Sequence, residues 1–70
     1  MQDGRELTVN GKPHRHSEGM TIASLLAELM DGPGTVVVEV NGKIIPRGQF
    51  EETRLCAGDS IEVVHFVGGG

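Results

Sequence analysis

The dipeptide Asn-Gly occurs twice in this chain, at Asn10-Gly11 and at Asn41-Gly42, each time where an alternating apolar run ends. Asn and Gly both tolerate positive φ, which a two-residue hairpin turn demands of its central pair. Two hairpins are therefore expected. In the first, Leu7-Thr8-Val9 is one arm and Lys12-Pro13-His14-Arg15-His16 the returning arm. The returning arm is polar, and Pro13 has no amide hydrogen to donate, so this arm belongs at a sheet edge. In the second, Thr35 to Val40 is the most strand-like segment, with Val36, Val38 and Val40 on one face and Val37 and Glu39 on the other. Lys43-Ile44-Ile45 is its short return strand, closed by Pro46.

Between the hairpins, Ile22, Leu25, Leu26 and Leu29 recur at i, i+3, i+4 and i+7, the stripe of an amphipathic helix. Thr21 or Gly19 caps its start, Ser24 and Glu28 lie on the opposite side, and Gly32-Pro33-Gly34 ends it. A helix of about ten residues does not persist in water without a sheet to pack on. Gly48 to Leu55 reads as irregular, with a helical turn around Gln49 to Thr53. Ala57-Gly58-Asp59 reads as a turn, and Ser60 to Phe66 as the last strand. In that strand Ile61, Val63 and His65 face one way and Glu62, Val64 and Phe66 the other. The order is β-β-α-β-β-β. A single helix covers one face of such a sheet, which predicts a two-layer α+β domain over residues 1–67. No internal repeat, linker or low-complexity segment stands out apart from the three glycines at 68–70.

The size of the chain bounds its function. A domain near 70 residues buries only about 60% of its unfolded surface. That leaves little room for both a core and a ligand pocket of about 300–1,000 Å³, which disfavours a self-contained enzyme. Phe50 and Phe66 are the only aromatic residues, and the formal net charge is -4. Stacking platforms for bases are absent and the charge opposes a polyanion, so nucleic acid is not the expected partner. Cys56 is the single cysteine, so no internal disulfide forms. No apolar run approaches the roughly 20 residues of a membrane span, and the polar start, Met1 to Glu6, does not read as a signal peptide. A cytoplasmic protein, monomeric when free, is expected.

The last strand runs straight into Val67-Gly68-Gly69-Gly70. The special functional group there is the α-carboxylate of Gly70, an anion near neutral pH. A carboxylate is a poor electrophile until one oxygen is made a leaving group. Attack on the α-phosphorus of ATP would do this, giving an acyl-adenylate and pyrophosphate, a step that needs positioning and charge neutralisation by a partner, usually with Mg²⁺. Glycine has no Cβ, so Gly68 and Gly69 pass a narrow channel and accept unusual φ. Four extended residues from Val67 reach roughly 13 Å. The bland alternative is that the glycines are slack at a chain end.

Three stretches carry a family resemblance. The first is Leu7-Thr8-Val9-Asn10-Gly11-Lys12. The second is Val38 to Arg47, followed by Phe50. The third is Leu55 with Gly58 to Val67 and the terminal glycines. From about Leu7 to the terminus the chain resembles the β-grasp (ubiquitin-like) superfold, and within it the ThiS family of sulfur carriers for thiamine-thiazole synthesis. The resemblance implies a mixed sheet of four to five strands with one helix on one face and a flexible glycine tail. It implies that Gly70 is adenylated and then converted to a thiocarboxylate, with Gly68 and Gly69 as the threading tail. The implied partners are a ThiF-like adenylating enzyme that consumes ATP and Mg²⁺, a persulfide protein that donates sulfur, and a ThiG-like thiazole synthase that takes it. No bound cofactor or metal is implied. A sulfur carrier for molybdopterin, a ubiquitin-like modifier and a passive binding module remain as alternatives.

A partner must also recognise the body. Val64, Phe66 and Val67 are the expected contact residues, joined by Val37 and Glu39 on the sheet face that the helix leaves bare. Glu51, Glu52, Asp59 and Glu62 either complement a basic partner or keep the surface soluble, and Arg47 is a weaker candidate. His14 and His16 alternate like metal ligands, but nothing completes a site, so they read as a solvated edge strand. His65 reads as a packing or rim residue. Cys56 has no adjacent base or paired thiol and reads as a small half-buried filler. Asn41-Gly42 needs no function beyond its turn.

Overall fold

The computed structural model describes residues 5–30 and 35–66. Strands β1 (Glu6–Val9) and β2 (Lys12–Arg15) precede helix α1 (Ile22–Leu29). Strands β3 (Thr35–Val40) and β4 (Lys43–Ile45), a single 3₁₀ turn (Arg47–Gln49) and strand β5 (Ser60–Phe66) follow. The five strands form one sheet in the order β2-β1-β5-β3-β4. β1 and β5 are parallel and the other pairs antiparallel, so the sheet is mixed, with the last strand at its centre.

Both Asn-Gly pairs form the expected two-residue turns. Asn10 and Asn41 each sit at φ 52°, and Gly11 and Gly42 at φ 81° and 85°. This is the positive-φ pair that a type I′ hairpin requires. The loop length then sets the register: Val9 opposes Lys12 in the first hairpin and Val40 opposes Lys43 in the second. The tetrapeptide Val-Asn-Gly-Lys occurs at both places, residues 9–12 and 40–43, so the two hairpins share their turn sequence.

Helix α1 covers one face. Ile22 and Leu25 are fully buried and join Leu7, Val9, Met20, Val38, Leu55 and Ile61 in one core, with Leu26, Val36, Val40, Ile45, Phe50 and Val63 packed around it. The helix begins at Thr21, as one of the two expected caps. Ser24 is more than a polar-face residue: its N–H donates to Thr21 Oγ1 (3.1 Å) and its hydroxyl accepts from the Thr21 N–H (2.9 Å), closing a capping box. The two remaining N-terminal amides are met by the segment after β4, since Ile22 N–H donates to Thr53 O and Ala23 N–H to Phe50 O. No first-turn donor is left without a partner, which is what burial of a helix start requires.

The helix is eight residues long, shorter than expected. Met30 turns to extended backbone (φ -138°, ψ 154°) while its N–H still donates to Leu26 O, and Gly32-Pro33-Gly34 lie outside the described residues. Leu29, the last member of the stripe, is therefore 41% exposed at the helix end instead of buried. The helical turn expected around Gln49 to Thr53 starts earlier, at Arg47. Pro46 carries the φ of -63° that starts such a turn and its carbonyl accepts from the Gln49 N–H.

Candidate functional site

The site grows from β5. On this strand successive residues alternate between the helix side and the bare side of the sheet. Ile61 is fully buried under the helix and Val63 packs against the core. Val64 and Phe66 point to the bare side and are 50% and 57% exposed. The β3–β5 register places Val37 directly opposite Val64 and Thr35 opposite Phe66. Val37, itself exposed, thus joins the same patch as expected. Val67, Gly68, Gly69 and Gly70 lie outside the described residues; the patch is formed by the last residues before them.

One member was missed. Ile44 opposes Glu39 across β3 and β4 and is the most exposed large apolar side chain on the described surface, at 63%. Its neighbour Ile45 turns inward to the core. Glu39 also opposes Glu62 on β5, so two carboxylates sit side by side among Val37, Val64 and Ile44. Like charges directly opposed across a sheet are unfavourable, and a cation brought by a partner would relieve them.

The opposite side of β5 carries His65, which lines an open groove of about 450 Å³ with Lys12, His14, Leu29 and Met30. The groove lies at the C-terminal end of α1, where no basic residue stands in the last helical turn. Lys12, on the wall of this groove, brings a positive charge from the sheet, which suits the negative pole of a helix.

His14 and His16 do not act as a pair. His14 faces the helix, with Nε2 3.2 Å from Glu28 Oε1, whereas His16 Nε2 lies 2.9 Å from the Leu55 carbonyl. β2 is the edge strand expected, but both histidines are half-buried, so their side chains are not freely solvated. No group of three metal-ligating side chains occurs among the described residues. Cys56 is exposed, not half-buried. Leu55 takes the buried position, and Cys56 falls in a turn whose N–H donates to Asp59 Oδ2 (2.8 Å), so its side chain leaves the core. Arg47 sits in the exposed 3₁₀ turn. No helix of the described residues is long and apolar enough to cross a membrane.

The two turn asparagines do more than turn. Asn10 Oδ1 accepts from the Val63 N–H at 2.7 Å and its Nδ2 donates to the Val63 carbonyl at 3.2 Å. Asn41 Oδ1 accepts from the Ser60 N–H at 2.9 Å and its Nδ2 donates to Asp59 Oδ1 at 3.0 Å. Each hairpin tip thereby hooks the central strand from its own side. The expectation that Asn41-Gly42 serves its turn alone is corrected by these bonds.

The family model of the ThiS family matches residues 3–70. A protein named sulfur carrier protein ThiS, from Bacillus subtilis, is 43% identical over 65 residues, covering 91% of this chain and 98% of its own. A thiazole synthase from Magnetococcus marinus is 42% identical over 65 residues. The match covers 93% of this chain, which spans only 20% of that synthase's length. The crystal structure of a thiamine biosynthesis protein (ThiS) from Geobacter metallireducens superposes with a TM-score of 0.71 at 38% identity, covering 93% of this chain and 99% of the other. With its central β5, the helix α1 on one face and this match over almost its whole length, the chain belongs to the ThiS family and has the β-grasp fold.

Proposed function

We propose that this chain is the sulfur carrier of thiamine-thiazole synthesis, a protein co-substrate whose product is its own modified terminus. The observation that carries the reading is the passage of the central strand, β5, directly into Val67-Gly68-Gly69-Gly70. Similarity to a protein named sulfur carrier protein ThiS supports a thiamine-related carrier role in place of an enzyme's.

The chemistry follows from the terminal carboxylate. On a ThiF-like adenylating enzyme the Gly70 carboxylate attacks the α-phosphorus of ATP, with Mg²⁺ neutralising the phosphates, and pyrophosphate leaves. The terminal sulfur of a persulfide protein displaces AMP to give an acyl disulfide; a thiol then attacks the donor's sulfur, forming a disulfide with the donor and releasing Gly70 as a thiocarboxylate. A thiazole synthase then takes the sulfur. That last partner is supported by the thiazole synthases in which one fifth of the length resembles this chain, so that a carrier-like stretch and a synthase share one polypeptide.

The bare sheet face is the docking surface for these enzymes. Val64 and Phe66 stand at the foot of the tail, Val37 and Ile44 extend the apolar area, and Glu39 with Glu62 calls for a basic side chain on the partner. Replacing Phe66 by Ala is expected to raise the carrier's KM in the adenylation assay about tenfold, as the loss of a buried aromatic anchor does. Stability is expected to change by no more than about 0.5 kcal/mol, because Phe66 is solvated in the free chain. Titrating pyrophosphate release against carrier concentration, beside a urea melt, checks both.

The reading itself is tested by co-expressing the chain with its adenylating enzyme and sulfur donor, then measuring intact and fragment masses. One oxygen replaced by sulfur at Gly70 is expected. An unmodified terminus beside demonstrably active enzymes overturns the reading. A lysine-linked adduct would mark a ubiquitin-like modifier instead.

A further inference from the structure

We infer that Asn10 is a positioning residue for the tail: among the described residues its amide makes the last tie on the β1 flank of β5, and so steadies the strand end that precedes the tail. The inference rests on the carrier reading above.

The argument starts from strand parity. Asn41 N–H donates to Ser60 O, and the β3–β5 register pairs Asn41's neighbour Val40 with Ile61. In an antiparallel ladder the backbone groups of alternate residues turn to the same neighbour, so Ser60, Glu62, Val64 and Phe66 direct their N–H and C=O toward β3. Ile61, Val63 and His65 direct theirs toward β1. That agrees with Asn10 N–H donating to Ile61 O and Thr8 N–H to Asp59 O.

β1, however, ends with the pair Val9–Ile61 and turns away at Asn10-Gly11. The Val63 N–H and C=O would be open on that flank. The Asn10 amide occupies the place of the missing strand residue and meets both, at 2.7 and 3.2 Å. A carboxamide has the same donor and acceptor as a peptide group, and Asn tolerates the αL backbone needed here. His65 is the next residue with groups on this side, and no described hydrogen bond reaches it from β1 or its turn. Among the described residues, β5 from Val64 onward is held only by the first residues of β3, Thr35 to Val37.

The consequence is mechanical. Gly70 lies four residues beyond Phe66. The strand end that precedes them, Val64 to Phe66, is steadied by how firmly β5 is held at its last two-sided tie, Val63. Releasing Val63 lets the strand end splay, and the partner must reorder it on docking. That cost is the same in the ground state and the transition state, so it falls on KM and leaves kcat unchanged.

Asn10→Gly is the clean variant, since glycine keeps the positive-φ turn and removes only the amide. Asn41→Gly is its control. It deletes the same atoms from the twin hairpin and frees the Ser60 end of β5, away from the tail. The measurements are amide hydrogen exchange, ¹⁵N relaxation of β5, and adenylation kinetics against carrier concentration. In N10G, exchange at Val63 is expected to rise about tenfold, as the loss of two exposed hydrogen bonds implies. Order at His65 and Phe66 should fall, and the carrier's KM should rise about fivefold at constant kcat. N41G should show faster exchange at Ser60 with KM within about twofold of the parent.

Unchanged exchange at Val63 overturns the proposal. So does a looser strand end with KM unchanged, or an equal rise of KM in N41G, which would make the effect one of stability. Failure of the carrier reading appears elsewhere, as parent chain that the adenylating enzyme does not accept, and it removes the positioning role as well.

Discussion

Removing Gly69 and Gly70 is expected to abolish sulfur loading and leave the fold untouched. The described core is built from residues between Leu7 and Val63. Truncation should therefore leave the unfolding midpoint within error. It leaves a carboxylate too, now on Gly68, so the reactive group is still present. What changes is its reach: two extended residues place it about 7 Å nearer the body. A displacement of about 1 Å in a reacting group already costs on the order of a hundredfold in rate. Adenylation of the truncated chain should thus fall below detection, read as pyrophosphate release, and no sulfur should appear in its mass. Loading at even a tenth of the parent rate would show that the position of the terminus is not what the partner reads.

Ile61→Ala is expected to have the largest effect on stability. Ile61 is fully buried near the start of the central strand, flanked by Val9 on β1 and Val40 on β3 and lying under the helix. Truncating a buried Ile to Ala costs about 2–5 kcal/mol. Domains carry about 0.05–0.15 kcal/mol of stability per residue, or roughly 3.5–10 kcal/mol for a chain of this size. The variant should be largely unfolded at physiological temperature, seen by circular dichroism and a urea melt. Val64→Ala, three residues along the same strand but half-exposed, should stay within about 0.5 kcal/mol of the parent. Equal losses in both would mean that the two faces of β5 are not the inside and outside described.

The hairpin registers show how far local rules reach. A two-residue turn at Asn41-Gly42 forces Glu39 opposite Ile44 and Val38 opposite Ile45. The exposure of Ile44 is therefore implicit in the turn. The capping box was equally within reach, because Thr21 and Ser24 stand three apart at the helix start. Cys56 and the two histidines are different. The fate of Cys56 depends on which of Leu55 and Cys56 the long loop turns inward. His14 meets a carboxylate 14 residues away and His16 a carbonyl 39 residues away, and no spacing rule foresees either.

The sequence by itself determined the elements and their faces: two Asn-Gly hairpins, one apolar helix stripe, and alternation along β3 and β5. These follow from backbone sterics and side-chain periodicity within a few residues. Only the tertiary structure decided that β5 lies between the hairpins, parallel to β1 and antiparallel to β3. It alone decided that the amides of Asn10 and Asn41 hook β5 from either side, and that the bare face gathers Val37, Ile44, Val64 and Phe66 into one patch. Strand order is settled by contacts between residues up to 53 apart. Such contacts must repay the entropy of closing long loops, and which of them do so depends on the packing of the whole core.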